Sequence, residues 1–503
     1  MTQTEYEQGA QQPTTDTPVS LRPTISQNPG QLFIGGQWVA PSGGTREILD
    51  PSTGKVATTV AEASAEDVVK ATTAARRTFD EGTWASMASR NRGRILHRAA
   101  ELLRSRAEEF ARLESLQVGK PIIFSRMIDV KTTIDVIEYY GSMAAGIEGA
   151  TRSTNVPTLA YTRQEPIGVV AAITPFNFPL ILSALKIAPA LAAGNTIIHK
   201  PAEETPLTAL LLAEILQEAG VPDGVFNVIT GGSAVGEALV RDPRVDKVAF
   251  TGSTAIGRRI ATIAAETLKH VTVELGGKSA NLIFADANLE SAIQTAINGF
   301  VFNTGQFCMS GSRLLVERPV YDVVLGALGA ACGHIPVGDP FAETTIVGPM
   351  TGPRHLQKVQ AFLDRAAQSG ARVLGGGNTP GASGGFWVAP TVLADVEQDS
   401  AFVQEEIFGP VLTVQPFDTD EEAIRLANGT SYGLAAGLQT TNVTRAHNVA
   451  ARLHAGIVWI NGWSILDEAM PLGGYKQSGY GREGGPEGLS EYLQTKSVIV
   501  SLA

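Results

Sequence analysis

Cysteine, positive charge and long apolar runs are all scarce in this sequence, and each shortage removes a class of function. Only two cysteines, Cys308 and Cys332, occur in 503 residues. Two thiols cannot build a disulfide framework, and no CxxC or Cys/His cluster has zinc-ligand spacing, so a reducing compartment and no metal are expected. Lysine and arginine total 39 against 50 acidic residues, a formal charge of −11. Nucleic acids and anionic membrane surfaces both need clustered cations, so neither partner is expected. The arginines of residues 90–94 read as the solvated face of a helix. No segment reaches the roughly 18 apolar residues of a membrane span; the richest, residues 207–216, is interrupted by Thr208 and Glu214. The opening MTQTEYEQGAQQPTTD has neither the basic nor the apolar part of a secretory signal. A soluble, cytoplasmic protein is therefore expected.

What the chain does have is core-forming material. Apolar residues make up 44% and charged residues 18%, and the length suggests two or three domains. Residues 1–28, rich in Thr, Gln and Pro, read as a mobile tail. Order should begin at Leu32-Phe33-Ile34, with a Gly35-Gly36 turn and a second strand at Gln37-Trp38-Val39. Residues 64–118 carry helical periodicity. The middle then alternates strands (168–174, 196–199, 225–229 and 245–250) with helices. One helix spans 180–193 and closes at Gly194-Asn195; another opens with Thr205 as N-cap and Pro206 at N1 and closes at Gly220. This alternation is the sequence form of a parallel sheet, and strands that run into Gly, Ser, Lys or Glu gather ligands in such sheets. A second series runs through 279–460, with strands at 313–316 and 412–415. The glycine-rich stretch 374–385 reads as a surface loop. Residues 495–502 alternate as a strand that needs a partner outside its own domain.

Several side chains stand where chemistry is possible. Cys308, in Asn303-Thr-Gly-Gln-Phe-Cys, follows an amphipathic helix in a polar, glycine-containing loop, a poor place for a structural thiol. Cys332 continues the apolar pattern of residues 323–331 and reads as core. Glu274 leaves the apolar strand Val271-Thr272-Val273 straight into Leu275-Gly276-Gly277-Lys278, and beside a thiol it suits a general base. Asn177 opens a helix; its amide either caps that helix or donates to a developing oxyanion, and one amide serves both roles only in part. Phe250-Thr251-Gly252-Ser253 leads into Ile256-Gly257 as a strand, a glycine turn and a helix start suited to phosphate. Lys200 and Glu203 end another strand, where a carboxylate accepting from a ribose 2′-OH favours NAD over NADP.

Together these segments resemble the aldehyde dehydrogenase superfamily. The resemblance rests on seven motifs in the family's order, which begin at Thr174, Lys200, Phe250, Glu274, Gly305, Glu405 and Pro471, and on the 34-residue interval from Glu274 to Cys308. It implies an α/β fold: a Rossmann-like NAD-binding domain (29–147 and 167–277), a catalytic domain (278–483), and a bridging β extension (148–166 and 484–503) that links subunits into a homodimer or homotetramer. The extension would pair residues 495–502 with the segment around 151–161. The implied chemistry is NAD-dependent oxidation of an aldehyde to a carboxylic acid through a thiohemiacetal and a thioester. Cys308 would be the nucleophile, Glu274 the base, and Asn177, with the Cys308 N–H, the oxyanion donor.

By the same resemblance the cofactor would touch Ile173, Thr174, Pro175, Phe176 and Asn177, then Lys200, Ala202, Glu203, Gly232 and Gly236. It would continue along Phe250, Thr251, Gly252, Ser253, Ile256 and Gly257 to Glu274, Leu275, Gly276, Cys308, Glu406 and Phe408. Phe178, Leu185, Phe302, Phe307, Met309, Trp463 and Leu472 would line the aldehyde tunnel and favour an apolar substrate, while Asp467 and Glu468 nearby would suit an amino-aldehyde. Phe176 stands where many members have Trp, and Leu472 where many have Phe, departures that bear on substrate fit. The alternatives are a CoA-acylating enzyme, in which a thiol resolves the thioester, and a non-catalytic NAD-binding protein on the same fold.

Overall fold

A computed structural model describes residues 28–376 and 384–502. The tail expected at 1–28 therefore lies almost wholly outside the described residues, as does most of the loop expected at 374–385. Leu374 itself belongs to a strand, Arg372–Gly375.

Two large sheets dominate. The first is ordered Gly479–Tyr480, His270–Glu274, Lys247–Thr251, Val169–Ile173, Thr196–Lys200, Phe226–Val228, Leu32–Ile34, Gln37–Val39. Its five middle strands are parallel, and the edges are antiparallel additions. Chain order runs outward from Val169–Ile173 and then doubles back to Lys247–Thr251, so the point of reversal, where α/β sheets hold ligands, lies between those two strands. The second sheet is ordered Arg372–Gly375, Thr391–Ala394, Val411–Phe417, Arg313–Glu317, Ala280–Ile283, Ala435–Gln439, Ile457–Ile460 and is parallel except at its first strand. Four of the five central strands of the first sheet are buried along their whole length and His270–Glu274 only in part; Val169–Ile173 is apolar throughout, while the others bury polar residues such as His199, Asn227 and Lys247.

A third, smaller sheet pairs Leu493–Ser501 with Thr158–Pro166 along its whole length, from Leu493 opposite Pro166 to Ser501 opposite Thr158. The expected partner segment was centred too early. Thr151–Arg152 lies on the far side of Thr158–Pro166, and only residues 158–161 of the expected stretch meet the last strand.

Two helix starts differ from the sequence reading for one reason. The helix after Thr205 is Leu207–Ala219, with Pro206 rather than Thr205 at its cap and no capping side chain of its own. Its first N–H is taken by Gln117 Oε1 at 2.8 Å. Asn177 likewise does not cap Pro179–Ala193; the Leu180 N–H goes to Glu114 Oε1 at 3.2 Å. Glu114 and Gln117 share the buried helix Ala107–Val118, so a tertiary neighbour satisfies both exposed helix ends and local capping chemistry is not needed.

The arginine-rich start at residues 90–94 is only partly a solvated face. Arg90 and Arg94 are exposed, but Arg92 is buried. Its guanidinium donates to Met87 O (2.6 Å), Ala192 O (3.1 Å) and Ala193 O (3.4 Å), closing the C-terminal end of Pro179–Ala193. Trp84 Nε1 donates to Leu191 O in the same place. Removing Arg92 strands several buried carbonyls. Arg92→Ala is expected to cost about 2–4 kcal/mol and to lower the thermal unfolding midpoint measured by scanning fluorimetry, whereas Arg94→Ala should leave it unchanged.

Candidate active site

The carboxyl ends of the first sheet face the amino ends of the second. Glu274 is the last residue of its strand in the first sheet. Cys308 lies on the approach to Arg313–Glu317 in the second. Between them is a cavity of about 600 Å³ that both residues line.

The approach to Cys308 is wound tightly. Asn303 (φ 50°), Thr304 (φ 57°) and Gly305 (φ 69°) are consecutive left-handed residues, a conformation that costs a non-glycine residue on the order of 1–3 kcal/mol. Glycine is required at 305, where a Cβ would fall 2.1 Å from the Gly409 carbonyl oxygen. The side chains hold this turn in place. Asn303 Nδ2 donates to Asn177 O (2.8 Å) and Gln306 O (3.1 Å), and Thr304 Oγ1 donates to Gly348 O (3.0 Å). Asn177 Nδ2 donates to Gln306 O at 2.9 Å. Asn177 is thus tied to the Cys308 loop but is not part of the cavity wall.

Burial sets the electrostatics. It pushes the Cys308 thiol up to about 12, with the Glu406 and Glu274 carboxyls adding to the effect. Glu274 Oε1 is buried without a hydrogen-bond partner. Desolvation first, and the Glu483 carboxyl second, hold Glu274 well above the usual carboxylate range, while Lys186 and Arg482 oppose them.

Lys186 and Glu483 were not singled out from sequence. Lys186 is buried in Pro179–Ala193, ion-paired with Glu483 and bonded to Thr251 Oγ1 at 2.6 Å. A single cation inside an otherwise apolar helix was the available signal, since a buried ammonium needs a partner.

All seven residues expected along the aldehyde tunnel line the cavity: Phe178, Leu185, Phe302, Phe307, Met309, Trp463 and Leu472. Phe178, Phe302 and Phe307 pack as mutual ring pairs 5.5–5.7 Å apart. Phe124 and Ile128 complete one side, at and just beyond the short helical turn Ile122–Phe124; neither was anticipated. Asp467 and Glu468 also reach the wall, and burial raises the Glu468 carboxyl.

The residues expected around the dinucleotide occupy neighbouring strand ends of the first sheet. Ile173 ends one strand and Thr174 to Asn177 follow it; Lys200 ends the next, with Ala202 and Glu203 in the turn beyond; Phe250 and Thr251 end a third. Thr174 Oγ1 meets His199 Nε2 at 3.1 Å rather than facing out. Lys200 is buried, its ammonium lowered to about 8 by desolvation and bonded to Pro201 O. Ser253 caps Thr254–Ala265, whose first turn exposes Ile256, and Gly257 seats against Leu275. Gly232 leaves room beside Glu203, where a Cβ would stand 2.5 Å from the carboxylate; Gly236 adjoins Lys200. Glu406 accepts the Gly277 N–H at 3.0 Å, close over Gly276. Phe408, itself left-handed at φ 64°, meets Phe176 edge-on at 5.7 Å, and Phe176 stacks on His355 at 3.9 Å. Carboxylate acceptors at each end and an exposed helix start between them suit the hydroxyls and phosphates of a dinucleotide.

Among the described residues no group of three or more His, Cys, Asp or Glu side chains is placed to hold a metal ion. No described helix is long and apolar enough to cross a membrane.

The sequence model described as "Aldehyde dehydrogenase family" matches residues 38–498. DhaS of Bacillus subtilis (strain 168) is 44% identical over 481 residues, which span 95% of this chain and 97% of that protein. Betaine aldehyde dehydrogenase from Staphylococcus aureus, solved in complex with NAD+, is 38% identical with a TM-score of 0.93, covering 94% of this chain and 95% of its own. PnpE from Pseudomonas sp. WBC-3 is 42% identical with a TM-score of 0.92, covering 94% and 98%, and has also been solved with nicotinamide adenine dinucleotide. With the family model spanning residues 38–498 and the fold matching solved members over 94% of the chain, this chain belongs to the aldehyde dehydrogenase family and is an aldehyde dehydrogenase.

Proposed function

We propose that the protein oxidises bulky apolar aldehydes to carboxylic acids, with Cys308 as nucleophile and Glu274 as general base. One observation carries this reading: the Cys308 thiol and the Glu274 carboxyl, which has an unpartnered buried oxygen, open on one apolar cavity.

Cys308 Sγ forms a bond to the aldehyde carbon as its proton passes to cavity water, and the carbonyl oxygen becomes an oxyanion. Asn177, behind the cavity wall with one amide hydrogen committed to Gln306 O, would turn its other amide hydrogen, together with the Cys308 backbone N–H, toward the oxyanion. Bound NAD+ supplies the hydride acceptor. Collapse of the tetrahedral adduct leaves a thioester on Cys308. Glu274 then takes a proton from water as the water oxygen attacks the acyl carbon, and the acid departs as the thiol is restored. Burial raises this carboxyl's affinity for protons, which suits it to accept one from the attacking water. Glu483, paired with Lys186, lies on the same cavity and keeps a charged partner beside Glu274. Glu203 and Lys200 hold the adenosine ribose, and Glu406 and Phe408 the nicotinamide half. A general base facing the sulfur supports water, rather than a thiol such as CoA, as the acyl acceptor. The Leu493–Ser501 sheet, with Ile499 and Val500 exposed, is the surface for a second copy of the chain.

Cys308→Ala should reduce oxidation by on the order of 10⁴-fold or more while NADH titration still reports binding; turnover at the original rate would refute the nucleophile. Glu274→Gln should keep a pre-steady-state NADH burst of one per site and slow the following steady state by on the order of 10²–10⁴-fold. Because burial raises the Cys308 thiol toward about 12, the thiolate is the minority species at neutral pH and its fraction grows with pH. The burst rate should therefore climb continuously through the alkaline range. Along a series of straight-chain aldehydes, kcat/KM should rise about fourfold per added methylene until the cavity fills; a flat series would exclude the apolar tunnel.

A further inference from the structure

Behind one wall of the cavity lies a group of buried charges that the reaction does not use. Glu114, Lys120 and Asp129 are each at most 1% exposed. Glu114 sits in Ala107–Val118, Lys120 follows the glycine that ends that helix, and Asp129 belongs to Ser125–Val130, a single π-helical turn. Such turns are rare and recur at functional sites. A buried ammonium needs a partner, and Lys120 Nζ donates to Asp129 Oδ1. The same Nζ stands 3.9 Å from the centre of the Phe178 ring, within reach of a cation–π contact. Phe178 lines the cavity, whereas Lys120 lies outside its wall. Glu114 holds the same stretch by its backbone. Its Oε1 accepts the Leu180 N–H, two residues past Phe178, and its Oε2 accepts from Thr208 Oγ1 at 3.0 Å and Gln117 Nε2 at 3.1 Å. Burial first, and the Asp129 charge second, raise the Glu114 carboxyl above the usual carboxylate range. With Glu114 protonated, one ammonium faces one carboxylate and the group is neutral.

The π-helical turn that carries Asp129 also carries Ile128, and Phe124 precedes it; both line the cavity. Phe124 meets Phe302 edge-on at 5.4 Å, and Phe178 lies 5.7 Å from the same ring. The Lys120–Asp129 pair therefore ties two walls of one cavity together from outside it. Taking that cavity as the aldehyde tunnel, as proposed above, we infer that Lys120 is a positioning residue that sets substrate specificity: held by Asp129, it fixes the Phe178 ring relative to Phe124 and Ile128 and so sets the width of the tunnel. Walls at a fixed spacing admit a flexible straight chain and resist a branched one of equal carbon count.

Steady-state kinetics of the whole enzyme with hexanal and tert-butylacetaldehyde, two aldehydes of equal carbon count, test this. The wild type should favour hexanal by at least about tenfold in kcat/KM. Lys120→Met/Asp129→Asn removes both charges together, so neither is left buried alone. The ratio should then fall at least about fivefold, through KM rather than kcat. Asp129→Asn alone, in which Glu114 still balances the ammonium, should move the ratio the same way, and NADH binding reports that each variant is folded. Phe178→Leu keeps an apolar side chain but offers the ammonium no ring. It should lower the ratio by itself, and adding Lys120→Met/Asp129→Asn to it should change the ratio no further. A wild-type ratio retained in Lys120→Met/Asp129→Asn, or an equal loss in both backgrounds, would overturn the proposal alone. An unchanged ratio in Phe178→Leu would instead remove Phe178 from the aldehyde's path and overturn the reading on which the proposal rests.

Discussion

Gly277 lies so close to the Cys308 carbonyl that a methyl group would sit 2.4 Å from its oxygen. At this contact the loop leaving the first sheet passes the loop entering the second. The carboxylate of one and the sulfur of the other are brought together by backbone packing, not by a bond between them. Close-packed interiors yield little to added atoms, so the spacing at the reaction centre is set by a residue with no side chain. The same approach brings Glu406 over Gly276 and onto the Gly277 N–H. Three functional groups therefore share one mechanical reference.

Such packing dries the centre, and drying has an electrostatic cost that the fold distributes. Both the thiol and the Glu274 carboxyl are pushed toward their neutral forms, mainly by burial. Charge is retained one layer away, where Lys186 pairs with Glu483 and is held by Thr251. A buried ion pair contributes little net stability. What it contributes here is a fixed positive charge that opposes the mutual repulsion of Glu274 and Glu483.

The parts of this arrangement that were legible in the sequence are those governed by local rules. The βαβ alternation and the glycine turns followed from periodicity and turn chemistry, and Cys308 and Glu274 stood in motifs that carry their own context, whereas the tunnel residues followed only from the family resemblance. Thr205 and Asn177 were different, because a capping residue is recognised only if the helix must supply its own cap, and Glu114 and Gln117 do so from elsewhere. Arg92 departs from the rule that charge lies outside because two of its carbonyl acceptors, Ala192 and Ala193, come from about a hundred residues along the chain. Lys186 and Glu483 belong to the same class, a pair whose members lie 297 residues apart along the chain. The offset in the last strand's partner has a similar origin, since register there is set by geometry between remote segments.

The thiol's unwillingness to ionise also governs the enzyme's durability. Peroxide attacks thiolates, and sulfenic, sulfinic and sulfonic acids form in succession from that first step. Cys332, the second cysteine, is packed into the core with its own thiol raised to about 11. With both cysteine thiols resting protonated, the chain offers peroxide little thiolate, and Cys308 gains its reactivity only when substrate and base are at hand.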